Sequence, residues 1–286
     1  MKVKLFLYTG ISLTACRNQT DMDAIFASSR GKHMRPIMDK QHPNPKHLFI
    51  SAKSGATLED LGRTAEAYVK KSSHPQRCHI YFMAGLCDVT YRDWDPDYSS
   101  NETYDEVIFN ESPHQAFIRL RHTINYISNR ITSLGAKPCF ATIVPSSLKT
   151  WNNIRLEQNK TAFLIHHNHY DDMQTNMIKA ILQINQHISA INQSNQMITP
   201  YIAETVITAC KKPKPPRIHY NRLEDGVHPS DELREKWVDR IVTAIKKNRK
   251  RHATQFHINN RTHTSHQTDS DSDEDTQAVK RSWKRN

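Results

Sequence analysis

The chain has 286 residues, 37% of them hydrophobic and 24% charged, with a formal net charge of +11. That length supports one sizeable core, and no apolar run approaches the roughly 18 residues needed to cross a bilayer, so no membrane span is expected. Five cysteines (Cys16, Cys78, Cys87, Cys139, Cys210) lack any C-x-x-C spacing, which excludes a disulfide scaffold or a zinc ribbon and favours a reducing, intracellular compartment, cytoplasmic or nuclear.

Residues 1–16, "MKVKLFLYTGISLTAC", imitate a secretory signal, but Lys4 and Tyr8-Thr9 interrupt its apolar centre, so secretion is the minority reading. "VKLFLY" (3–8) reads instead as a first buried strand ending at Gly10, with a helix starting within 13–30. The basic, proline-containing stretch 31–47 reads as surface loop, and "HLFIS" as a short strand. Thr57 before Leu58-Glu59-Asp60 is a helix cap with an acidic first turn, predicting a helix over 58–71. The uninterrupted apolar run "CHIYFMAG" (78–85) has the pattern of a strand buried on both faces of a parallel sheet.

Phe117, Leu120, Ile124, Ile127, Ile131 and Leu134 recur at steps of three and four, predicting a helix over 114–134 closed by Gly135. "KPCFATIVP" (137–145) gives another strand, Met173 through Ile191 the apolar stripe of a helix over 171–193, and 197–207 a further strand. A last helix, 230–247, starts at Ser230 with Leu233, Trp237, Ile241 and Ile245 on its core face. Alternating strands and helices predict an α/β fold with a mostly parallel sheet, whose ligands bind at the carboxyl ends of the strands. Beyond 247, basic, acidic ("DSDSDED", 269–275) and basic runs follow one another with few apolar residues. We therefore expect a domain at 1–247 and a disordered polyampholytic tail at 248–286.

Four of the seven glycines stand beside chemically useful residues: Gly10 before Ser12, Gly55 in "SGATLEDL", Gly85 before Cys87-Asp88, and Gly226 within "DGVHP". In this order, and over about residues 3–245, the set resembles the SGNH hydrolases, or GDSL-type esterases. The resemblance implies a three-layer α/β/α sandwich of flavodoxin-like type and a serine esterase or acyl hydrolase. Ser12 would be its nucleophile, His228 the base and Asp225 the orienting carboxylate, with an oxyanion hole formed by Ser12, Gly55 and Cys87.

The chemistry accords with the resemblance. A serine hydroxyl needs a neutral imidazole to take its proton, and a carboxylate three residues before the histidine can hold the imidazole tautomer. The pattern departs from the family twice: Gly85-Leu86-Cys87-Asp88 stands where G-x-N-D is usual, and Ile11 replaces the aspartate of G-D-S. A thiol donates only weakly, which predicts a slow enzyme. No cofactor or metal is implied.

Each residue also has a bland alternative. Ser12 alone is an ordinary turn residue, Cys87 an inert buried thiol, and "HHNHYDD" (166–172) a solvated helix start whose spacing matches no zinc motif. Trp94 and Trp151 line a substrate groove or anchor loops. Ser270 and Ser272, each followed by acids, are candidate phosphate acceptors. The substrate expected is a small-molecule, glycan or lipid ester. The alternative function is an inactive binding or mobile-element accessory protein, because SGNH-like domains resemble this chain in some eukaryotic retrotransposon proteins. The basic surface and tail would then contact nucleic acid.

Overall fold

In a computed structural model, residues 22–94, 105–158, 161, 164, 166–210 and 216–267 are described. The run MDAIFA forms strand β1 (Met22–Ala27), and helix α1 (Arg35–Gln41) and strand β2 (Leu48–Ala52) follow. Helix α2 (Leu58–Lys70) starts at a capping box in which the Thr57 hydroxyl accepts the Asp60 N–H and the Asp60 carboxylate accepts the Thr57 N–H. Next come β3 (Cys78–Met83), the single turn α3 (Leu86–Val89), the antiparallel pair β4 (Tyr91–Trp94) and β5 (Asp105–Ile108), and α4 (Pro113–Ser133). The chain continues through β6 (Lys137–Phe140), α5 (Leu148–Glu157), α6 (Tyr170–Ser194), the two-residue pair β7 (Ile207–Thr208) and β8 (Arg217–Ile218), and α7 (Asp231–Gln267).

The central sheet is parallel throughout, in the order β2-β1-β3-β6. Period-two alternation along its strands divides the core in two. Ala24, Phe26, Ile80, Phe82 and Phe140 face the apolar stripes of α2, α4 and α6. Ile25, Ala27, Tyr81, Met83 and Cys139 face α1 and α7, where Met38, Trp237, Val238, Ile241 and Ile245 close the other layer. The result is the expected three-layer α/β/α sandwich. Chain order reverses between β1 and β3, and in sheets of this order ligands bind at that switch point, beyond the carboxyl ends of the strands.

Several expectations are corrected. Residues 22–27, assigned to a helix within 13–30, are the central strand; six mostly apolar residues carry too short a period to separate strand from buried helix. The loop expected at 31–47 contains α1, whose buried Met38 lies against the α7 layer. Instead of a strand over 197–207 there is a turn at Ala203–Thr205 and the small β7–β8 pair, outside the central sheet. The last helix, expected over 230–247, runs on to Gln267, and its inward stripe continues from Ile245 through Asn248 and His252, both buried, with Arg249 bonded to Asp23. The strand expected at 3–8, Ser12, and Ser270 and Ser272 lie outside the described residues.

Candidate active site

Three turns meet beyond the sheet at the β1–β3 switch point. After β1, the Ser28 N–H continues the ladder by donating to Met83 O at 3.1 Å, and Ser29–Gly31 form one 3-10 turn. This lifts Ser29 off the strand end and leaves its side chain half-buried. After β2, the Lys53 N–H donates to Ala27 O at 2.9 Å and Gly55 turns with φ +71°. After β3, Gly85 adopts φ +116°, a conformation open to glycine at little cost. A Cβ there would also stand 2.3 Å from Ile143 Cδ1.

Opposite them lies the loop that enters α7. Asp225 binds its own loop: Oδ1 accepts the N–H groups of Val227 (2.9 Å) and His228 (2.7 Å), and Oδ2 lies 2.7 Å from His228 Nδ1. Gly226, at φ +80°, gives this turn its reversal, and its carbonyl accepts the Ser147 N–H at 2.8 Å, fastening the loop to the start of α5. From α5 the Trp151 ring stands edge-on to the His228 imidazole, 5.6 Å between centroids. His228 Nε2 lies 3.2 Å from Ser29 Oγ.

Ser29, His228 and Asp225 thus form a continuous hydrogen-bonded chain in which each link is within reach for proton transfer. Burial alone would raise the Asp225 carboxyl, but the ring and backbone donors of His228 and the Val227 N–H outweigh it and hold it down at about 2. The carboxylate is therefore ionised throughout the neutral range. The N–H groups of Ser29 and Gly55 have no acceptor among the described residues. The Cys87 thiol is pushed up by burial and by the neighbouring Asp88, so at neutral pH it stays protonated. Asp88 itself, raised to about 6 by burial, accepts the Leu58 N–H at the start of α2 with both oxygens at 3.0 Å.

Of the residues singled out in the sequence, Asp225 and His228 come together as spaced, and Gly55 and Cys87 follow the strands β2 and β3 that flank the serine turn's own strand. Ser12 lies outside the described residues, and the hydroxyl facing His228 belongs to Ser29. Its signal was available in the sequence: an apolar run, MDAIFA, closed by Ser28-Ser29 and by Gly31. The histidine-rich segment 166–172 is structural where described. His166 Nε2 lies 2.8 Å from Asp93, and Tyr170 donates to Glu106 at 3.0 Å. Among the described residues no group of three His, Cys, Asp or Glu is placed to hold a metal ion, and no helix is long and apolar enough to cross a membrane.

No family model matches the chain, and no curated protein matches it. Among solved structures, a GDSL-like lipase from Bacteroides thetaiotaomicron is 14% identical, with 79% of this chain and 86% of that one covered at a TM-score of 0.47. A carbohydrate esterase family 3 protein from Talaromyces cellulolyticus is 12% identical, with coverage of 79% and 97% and a TM-score of 0.46. A third structure, 8% identical, covers 80% of this chain and 98% of its own at a TM-score of 0.50. Identities this low bear on the backbone alone. In its layers and strand order the chain has a three-layer α/β/α fold with a parallel central sheet.

Proposed function

We propose that the protein hydrolyses or transfers esters through an acyl-Ser29 intermediate. The observation that carries this reading is the Ser29–His228–Asp225 chain at the carboxyl edge of the sheet. The nucleophile assignment thereby moves from Ser12 to Ser29. Relative to the G-D-S pattern, this chain has Ala27-Ser28-Ser29.

Ser29 Oγ attacks the acyl carbon while its proton passes to His228 Nε2, and the carbonyl π pair moves onto oxygen. Asp225, bonded to Nδ1, holds the tautomer that presents a lone pair to Ser29 and stabilises the imidazolium. The N–H groups of Ser29 and Gly55 are the donors suited to the oxyanion, with Cys87 a weak third. On collapse the ester C–O bond breaks and His228 returns the proton to the departing alcohol. Water then repeats the sequence, releasing the acid and restoring Ser29. Trp151, beside the imidazole, is a wall against which the substrate packs.

The test is labelling with a fluorophosphonate probe, with the modified peptide located by mass spectrometry. Modification at Ser29, lost in Ser29→Ala and retained in Ser12→Ala, is the expected result. An unmodified Ser29 in folded protein, or labelling that moves to Ser12, would sink the assignment.

A further inference from the structure

Directly after the nucleophile stands Arg30, an arginine in an unusual position. Its side chain runs from the serine turn across the end of β3 to the segment that follows β6, where Nη1 donates to Val144 O at 2.6 Å, and its guanidinium lies 5.9 Å from the centroid of the Trp237 ring. The residue is 6% exposed. Its Nε and Nη2 are buried without any hydrogen-bond partner, and among the described residues no carboxylate lies within ion-pair distance. Beside it is a cavity of about 10 Å³ lined also by Ser28, Met83, Ala84, Leu86 and Ile143, room for about one water molecule.

Burial lowers the Arg30 guanidinium to about 10, with Cys87 and Asp225 pulling against that fall, so it remains charged at neutral pH. A buried, unpaired cation is expensive, and its cost is not offset by a structural ion pair. The groups that feel its charge are those on either side of Ser29: Cys87 beyond β3 and Asp225 in the α7 loop. What the resting site lacks is a negative charge at the acyl oxygen, which forms only during reaction.

We propose that Arg30 supplies a fixed buried positive charge beneath the nucleophile turn that stabilises the oxyanion formed on attack by Ser29, offsetting the amide donor absent at position 87. This rests on the acyl-Ser29 reading. The charge acts through space, in surroundings of apolar side chains that screen it little, and the hydrogen bond to Val144 O holds it in place before reaction begins, so little reorganisation is needed. Arg30 is a positioning residue by its bond and an electrostatic one by its charge, and the two roles separate by mutation. Arg30→Lys keeps the charge. Arg30→Gln keeps a donor for Val144 O and removes the charge.

The experiment compares fluorophosphonate labelling rates and p-nitrophenyl acetate hydrolysis for wild type, Arg30→Lys and Arg30→Gln, each checked for folding by circular dichroism. Arg30→Gln should lose about 10²-fold in kcat/KM, the scale of one lost oxyanion donor. Arg30→Lys, which keeps the charge, should keep most of the rate. A wild-type rate in Arg30→Gln would overturn the proposal, as would equal losses in both variants. Arg30→Met replaces Arg30→Gln if the latter does not fold, and failure of both neutral variants to fold would make the charge structural and overturn it too. No labelling of wild-type Ser29 would instead remove the reading on which the proposal rests.

Discussion

The two ends of the sheet each hold an aspartate bonded to histidine, and they have opposite characters. At the carboxyl end, Asp225 holds one nitrogen of His228, the other faces Ser29, and the imidazole is 31% exposed. At the amino end, Asp23 on β1 lies between His42 Nε2 (3.1 Å) and His79 Nδ1 (3.2 Å), and Arg249 of α7 donates to it at 2.7 Å. The side chains of His42 and His79 are 0% and 2% exposed. The same residue types thus make a part-exposed pair facing a hydroxyl where strands release the chain into turns, and a buried clamp where α7 crosses the strands' beginnings. A carboxylate–histidine pair becomes a candidate for chemistry when the second ring nitrogen meets a hydroxyl and solvent can reach it.

Substitution at the two aspartates separates these roles most strongly. Asp225→Asn should lower kcat by about 10⁴, through loss of the productive tautomer, with little change in melting temperature; steady-state kinetics beside a thermal melt reads both. Asp23→Ala should do the reverse. It leaves the buried His42 and His79 rings without the carboxylate they bond, a change expected to cost about 1–3 kcal/mol of stability, measured by urea unfolding, while labelling of Ser29 in the folded fraction stays as in wild type. Reduced labelling in folded Asp23→Ala would show the two ends to be coupled.

A smaller effect sharpens the site itself. Cys87→Asn restores a strong donor where the thiol donates weakly and should raise kcat/KM by about 10- to 100-fold, a fraction of the usual value of such a donor. An unchanged rate would mean that position 87 does not face the oxyanion. The smallest effect is with pH. Burial alone would raise the Asp23 carboxyl, but His42, His79 and Arg249 outweigh it and hold it at about 2, below its ordinary 3.8. A depressed carboxylate contributes stability that is fully present above the unfolded value and lost as pH falls through the folded one. Its contribution, about 2 kcal/mol, should therefore fade between about pH 4 and pH 2, and Asp23→Asn should flatten that part of the stability–pH curve.

Legibility in the sequence followed the range of the interactions. The capping box at Thr57 and Asp60, the stripes of α4 and α6, and the β3 run were readable because their determinants lie within a few residues. The end of α7 was misplaced because charged residues such as Lys246, Lys247 and Arg251 on its outer side masked the inward series Ile245, Asn248, His252. Asn248 and His252 read as polar tail until Tyr81 on β3 is seen hydrogen-bonded to Asn248, and the His79 ring set 4.9 Å from that of His252.

By itself, the sequence determined the alternation that yields a layered α/β sandwich, and the Asp225–His228 unit, whose hydrogen bonds close within one four-residue turn around a glycine. Only the tertiary structure decided which serine meets that histidine, because the two are 199 residues apart. A short strand followed by small residues is written alike at more than one place near the N-terminus, and no local preference distinguishes a hydroxyl at the end of the central strand from one elsewhere. Parallel strands order themselves by long-range pairing, and it is that pairing, β1 between β2 and β3, that sets Ser29 opposite the α7 loop.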